Sequence, residues 1–141
     1  MSEAEMGGPL VKLGEIGQIA LTVRDLAKAK AFYKDVLGLM FLFDAGTMVF
    51  FQCGSVRLLL GLPEGKVEDA PANVGTILYF KVAELKATFD ALKGAGVAVV
   101  QEPNMVARMP DHELWLAAFK DPEGNVIELM SELRPEAAKK G

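Results

Sequence analysis

The sequence predicts an α+β protein built from two βαβββ modules. Three observations carry that prediction: a strand-to-helix passage that occurs twice, apolar residues at helical spacing behind each copy, and glycine-bearing turns between the strands that follow. The first copy is Gly17-Gln18-Ile19-Ala20-Leu21-Thr22-Val23 leading into Arg24-Asp25-Leu26, and the second is Thr76-Ile77-Leu78-Tyr79-Phe80-Lys81-Val82 leading into Ala83-Glu84-Leu85. Each is a β-branched and aromatic run suited to a pleated, half-buried strand, and each ends in an acidic residue followed by leucine. Internal repetition of this kind is the mark of one supersecondary unit used twice.

Behind the first copy, Leu26, Ala29, Tyr33, Val36 and Leu37 recur at steps of three and four, which on a 3.6-residue period makes one apolar stripe. Asp25 is placed to cap that helix by accepting orphan amide hydrogens, and Gly38 to end it in the left-handed conformation. Strands are expected over Leu39 to Phe43, Met48 to Phe51 and Val56 to Leu60, with Gln52-Cys53-Gly54-Ser55 as a turn. The second copy continues through Leu85, Phe89 and Leu92, with Gly94 and Gly96 as breakers. Its strands are expected over Val97 to Val100, Leu114 to Phe119 and Asn125 to Met130. Asp121-Pro122-Glu123-Gly124 is the stronger turn, with proline preset for the second position and glycine in the fourth. The organisation read from this is a flexible tail over 1–14, a first module over 15–61, a linker over 62–74 rich in proline, glycine and charge, a second module over 75–132, and a tail over 133–141.

At 141 residues the chain suits one compact body. Apolar residues make up 51% of it and the mean hydropathy is +0.24, yet no run approaches the roughly 18 apolar residues a membrane span needs. The surplus calls for burial in a cavity wall or a subunit interface, and a homodimer is expected. The acidic start does not resemble a secretory signal, so a cytoplasmic location is expected. Cys53 stands alone, which excludes an internal disulfide and a thiolate metal cage. A net charge of −4 without a basic cluster argues against nucleic acid and suits a neutral or cationic small molecule.

The segments Gln18-Ile19-Ala20-Leu21-Thr22-Val23, Asp25-Leu26 and Phe32-Tyr33-Lys34-Asp35-Val36-Leu37-Gly38-Leu39 resemble the first strand and helix of the vicinal-oxygen-chelate superfamily, the group of glyoxalases, bleomycin-resistance proteins and extradiol dioxygenases. Phe119-Lys120-Asp121-Pro122-Glu123-Gly124-Asn125-Val126-Ile127-Glu128-Leu129 resembles its closing hairpin, and the likeness spans Ile16 to Glu132. The resemblance implies a half-open barrel with a central cleft. It also implies a divalent metal there, held by one residue from the first and last strand of each module, usually His, Gln or Glu. Carried onto this sequence, those positions are Gln18, Leu58, Ile77 and Glu128. Leu58 and Ile77 offer no lone pair, so no metal cofactor is expected. A one-residue slip to Arg57 or Leu59, or to Thr76 or Leu78, restores no ligand set.

Alternation along the fifth strand puts Tyr79 and Lys81 on the face of Ile77, and along the last strand puts Val126, Glu128 and Met130 on the cavity side. A carboxyl among apolar neighbours has its pKa raised by desolvation unless a charge offsets it. Glu128 then serves as general acid or base, or anchors a cationic group. The alternative is a structural ion pair. Arg108 to Trp115 holds the sole His and the sole Trp, and His112 and Trp115 are read either as rim residues touching a ligand or as a solvated turn whose Trp plugs the core. The ligand-binding set is therefore Gln18, Leu58, Ile77, Tyr79, His112, Trp115 and Glu128. Three functions stay open: a small-molecule binder without metal, a glyoxalase-type lyase, isomerase or epimerase using Glu128 for proton transfer, and an interaction module whose cleft is filled.

Overall fold

The computed structural model describes residues 8–10, 12, 14–63 and 76–134. The N-terminal tail, the linker and the C-terminal tail lie mostly outside them. In the first module, β1 (Gln18–Thr22), α1 (Leu26–Ala31), β2 (Met40–Ala45), β3 (Met48–Cys53) and β4 (Val56–Gly61) follow in order. In the second come β5 (Leu78–Lys81), α2 (Leu85–Gly94), β6 (Ala98–Arg108), β7 (Glu113–Lys120) and β8 (Val126–Leu133). The strands form two four-stranded sheets of the same plan, β1-β4-β3-β2 and β5-β8-β7-β6. The first and last strands of each module run parallel and the others antiparallel. They do not close into a barrel.

Local chemistry accounts for most element ends. The Asp25 side chain accepts from the Lys28 amide at 3.0 Å, capping α1. Beyond Ala31 the helix widens into a π-helical turn over Phe32–Val36, which seats Phe32 and Tyr33 side by side in the interior. Gly38 follows at φ +73°, and Gly124 closes the β7–β8 turn at φ +87°. β6 is far longer than the expected Val97 to Val100. Three register irregularities between Val99 and Ala107 let it run on to Arg108, and it tolerates Pro103 because it is an edge strand with an interrupted ladder. Arg108 to Trp115 is accordingly the end of β6, a tight turn closed by Met109 N–H donating to His112 O at 2.7 Å, and the start of β7.

Each helix lies on one face of its sheet, and the two helix-facing sides share one core. Val23, Tyr33, Phe51 and Leu60 from the first module join Phe89, Phe119, Ile127 and Leu129 from the second. Polar contacts fix the junction. The Tyr33 hydroxyl donates to Asp121 Oδ2 at 2.8 Å, and the Asp25 amide donates to Glu123 Oε2 at 2.9 Å. Arg24 lies 3.5 Å from Glu123 Oε1. The helix start of one module is thereby held by the closing turn of the other.

Tyr33→Phe keeps the ring and removes the donor to a buried carboxylate, so it is expected to cost about 1.5–3 kcal/mol. Urea denaturation is the check: the midpoint falls while the slope stays constant.

Candidate functional site

The face of each sheet away from its helix holds the candidate residues. On the first sheet, register pairing makes two rows on that face: Gln18, Arg57, Gln52 and Met40, then Ala20, Leu59, Phe50 and Phe43. Leu58 corrects the expectation. It points the other way, is 2% exposed and belongs to the core, because parallel pairing sets Gln18 beside Arg57. The two modules fix the corresponding position independently. Val23 N–H bonds to Gly61 O as Val82 N–H bonds to Met130 O, so Leu59 beside Ala20 occupies the place of Glu128 beside Tyr79. The fourth-strand residue is therefore Leu59, one position on, and it also lacks a lone pair.

On the second sheet the open face carries Tyr79, Glu128 and Ala118 side by side across β5, β8 and β7. Ile77 precedes them on the side of Tyr79. Ala118 supplies only a methyl group, so the Glu128 carboxyl stands over a shallow floor. Its Oε1 is buried and has no hydrogen-bond partner among the described residues. Burial pushes the Glu128 carboxyl above its ordinary value, with no neighbouring charge to offset the effect.

Between the modules runs a crevice with two lobes of about 480 and 660 Å³, both bordered by Cys53, Gly54, Tyr79, Phe80 and Lys81. Leu58 and Ile77 line the larger lobe. Tyr79 thus belongs both to the crevice and to the face of Glu128. Burial pushes the Cys53 thiol up, which suits an unreactive lining residue.

The remaining expected residues lie elsewhere. Trp115 faces the helix side, packs against the core and donates from Nε1 to Glu113 Oε1 at 3.1 Å. This is the core-plugging alternative, set by its odd-numbered alternation with Ala117 and Phe119, so it does not join Glu128. His112 sits at the far end of the second sheet, with Nδ1 2.7 Å from Asp111 Oδ1 and Nε2 3.9 Å from Glu132. Arg134 bridges the same two carboxylates at 2.8 and 3.3 Å. Gln18 is exposed on the first sheet's open face, apart from the Tyr79–Glu128 pair. Arg57, weighed in the sequence only as a slipped fourth-strand ligand, stands beside it as a lone cation in the apolar run Val56 to Leu60.

Two βαβββ modules with parallel outer pairs, joined through an Asp-Pro-Glu-Gly-Asn turn, match one family. Residues 15–129 fit the model of the Glyoxalase/Bleomycin resistance protein/Dioxygenase superfamily. The chain belongs to that superfamily. A relative, "Uncharacterized protein YraH" of Bacillus subtilis, is 31% identical, with 79% of this chain and 94% of that protein covered. Among solved structures, lactoylglutathione lyase from Agrobacterium tumefaciens is similar at a TM-score of 0.66 and 27% identity, covering 85% of this chain and 95% of that one. A glyoxalase/bleomycin resistance protein/dioxygenase family enzyme from Burkholderia phytofirmans shares the fold at a TM-score of 0.71 and 17% identity, over 85% and 100% of the two chains.

The superfamily's divalent metal does not fit the residues present. Of the four ligand positions, Leu59 and Ile77 are hydrocarbon, and among the described residues no group of three His, Cys, Asp or Glu side chains is placed to hold an ion. Among the described residues, no helix is long and apolar enough to cross a membrane.

Because the folded chain keeps the Glu128 proton to a higher pH than the unfolded chain, stability falls as pH rises from the ordinary carboxyl range through the raised folded value. Glu128→Gln removes that penalty. The variant is expected to melt higher than the parent at neutral pH and to lose the advantage below the ordinary carboxyl range. Thermal melts from acid to neutral pH provide the check.

Proposed function

We propose that this superfamily member binds a small organic molecule, without a metal, on the Tyr79–Glu128 face at the mouth of the inter-module crevice. One observation carries the reading: Glu128 has a buried carboxylate oxygen that no group among the described residues satisfies. An orphaned buried acceptor is costly, and a ligand bearing an N–H or O–H donor, or a cationic nitrogen, relieves that cost. Tyr79 supplies an aromatic surface beside it. The crevice volumes exceed the roughly 300 Å³ at which ligand pockets begin, which argues against a filled cleft. The working form in this proposal is a cytoplasmic homodimer, supported by large apolar side chains left open on both faces, among them Met40 and Phe43 on the first and Tyr79 on the second.

The raised Glu128 carboxyl favours a second reading. A carboxylate that has lost water is a stronger base, suited to moving a proton in a lyase or isomerase reaction. Turnover of an identified ligand that survives in Glu128→Gln overturns this version and leaves the binder standing.

A thermal-shift screen of neutral and cationic aromatic compounds tests binding itself. The expected result is a melting temperature that climbs with ligand concentration, and an affinity at least about tenfold weaker in Glu128→Gln, the equivalent of roughly 1.4 kcal/mol. No stabilisation by any compound overturns the proposal.

A further inference from the structure

The second module departs from the first at one end. Val23 bonds to Gly61 O as Val82 bonds to Met130 O, which aligns the two sheets rung by rung. In the first module β3 and β4 end at that rung, with Met48 beside Gly61, whereas β7 and β8 run three rungs past Met130, from Ser131 to Leu133. The helix does not follow them. α2 begins where Ser131 Oγ donates to Ala83 O at 3.5 Å, and it runs back to set Phe89 5.2 Å from Phe119. The added rungs therefore carry Trp115 and Leu133 at and beyond the helix start. With Phe89 and with Pro103 of β6 they wall a cavity of about 570 Å³. Among the described residues it shares no lining side chain with either lobe of the inter-module crevice.

The charged groups around this cavity are unevenly committed. Lys86 pairs with Asp90 at 3.2 Å, and Lys93 lies 5.9 Å from the centre of the Phe89 ring. Glu84 at the helix start and Glu102 on β6 also line the cavity, and no described residue engages either carboxylate. Glu84 does not cap its own helix. Between these two elements the indole of Trp115 is pinned, since its Nε1 donates to Glu113 Oε1 at 3.1 Å and Glu113 is itself held by Arg108 at 3.1 Å. We propose that this cavity is a second ligand site, separate from the Tyr79–Glu128 face, for an organic cation: a protonated or quaternary amine whose apolar body rests on Trp115, Phe89 and Pro103 and whose nitrogen faces Glu84 and Glu102. Indole is the aromatic group with the strongest attraction for a cation, and a ring already fixed in place loses little freedom on binding one. An organic anion would meet two carboxylates without counter-ions, while both nearby ammonium groups already have partners. A metal ion would lack donors, because among the described residues no group of three ligating side chains is placed to hold one. The volume suits a small molecule.

Trp115 is the sole tryptophan of the chain, so its emission reports on this cavity and not on the Tyr79–Glu128 face. Titration of the full chain with benzyltrimethylammonium is expected to give a saturable change in that emission, with a midpoint at or below about 1 mM. Phenylacetate, which carries the same ring and the opposite charge, is expected to give none. Glu84→Gln combined with Glu102→Gln is expected to weaken the amine by about fivefold or more. Should the double variant misfold by circular dichroism, the two single variants supply the comparison, each weaker than the parent by about twofold. A response that stays linear up to about 10 mM, equal responses to both probes, or an affinity that depends on Glu128 rather than on Glu84 and Glu102 overturns the proposal. Without a saturable amine response, an emission that moves on dilution of the chain alone assigns the cavity to a second copy. One that moves in Lys139→Gln combined with Lys140→Gln assigns it to the chain's own basic end. Either result also overturns the amine site.

Discussion

The phenol of Tyr33 and the carboxylate of Asp121 meet at 2.8 Å in the interior, 88 residues apart in sequence, and the placement of one module against the other depends on that bond. Burial and the adjacent Asp121 push the Tyr33 hydroxyl far above its ordinary value, so it acts there purely as a donor. Asp121 is saturated: Oδ1 accepts from the Glu123 and Asn125 amides, and Oδ2 from Tyr33 and the Asn125 side chain. A buried carboxylate engaged by four donors is held rigidly in one orientation. Its rigidity shapes the β7–β8 turn, which in turn sets the register of β8 and the facing of Glu128. Two acids on one hairpin arm thus have opposite circumstances, one with every lone pair engaged and the other with a buried oxygen that no described residue engages. The first holds the fold together, and the second is free to interact with something outside the chain.

That contrast explains what was legible in the sequence. The helix stripes, the Asp25 cap, the glycine turns and the duplicated βαβββ order are local features, and the structure reproduces them except at Val36, which is 42% exposed. Both partners of the junction were also visible as motif residues, Tyr33 on a helix stripe and Asp121 opening a turn. Their bond was not visible, because spacing within an element says nothing about a contact between elements so distant in the chain. The π-helical turn over Phe32–Val36 escaped for a related reason: its extra residue per turn is imposed by packing Phe32 and Tyr33 into a common core. β6 escaped because Pro103 and three bulges obscure its alternation.

The site was legible where alternation had an anchor. Tyr79 and Glu128 follow correctly from their strands, since Val82 and Leu129 must face the core. The fourth strand has no such marker. Leu58, Leu59 and Leu60 are chemically identical, so only hydrogen-bond register shows which of the three faces the cleft, and a one-residue error there exchanges core for surface. Trp115 could be assigned by counting back from Phe119, whose place beside the turn fixes the parity of the whole strand.

Superposing the modules by register exposes the asymmetry on which the chemistry turns. Ala20 corresponds to Tyr79, Leu59 to Glu128 and Phe50 to Ala118. At each corresponding place one module carries the larger or apolar group where the other carries the smaller or charged one. A site with a carboxylate from both modules would concentrate two negative charges, which is what a divalent ion requires. Replacing one of them by Leu59 leaves a single negative charge above the methyl floor of Ala118. A guanidinium, an ammonium or a single N–H donor balances that charge, whereas a divalent cation would remain under-coordinated and half neutralised. With Leu59 at one of the two corresponding places, the frame presents a single negative charge, which one monovalent cation or neutral donor balances without any strand moving.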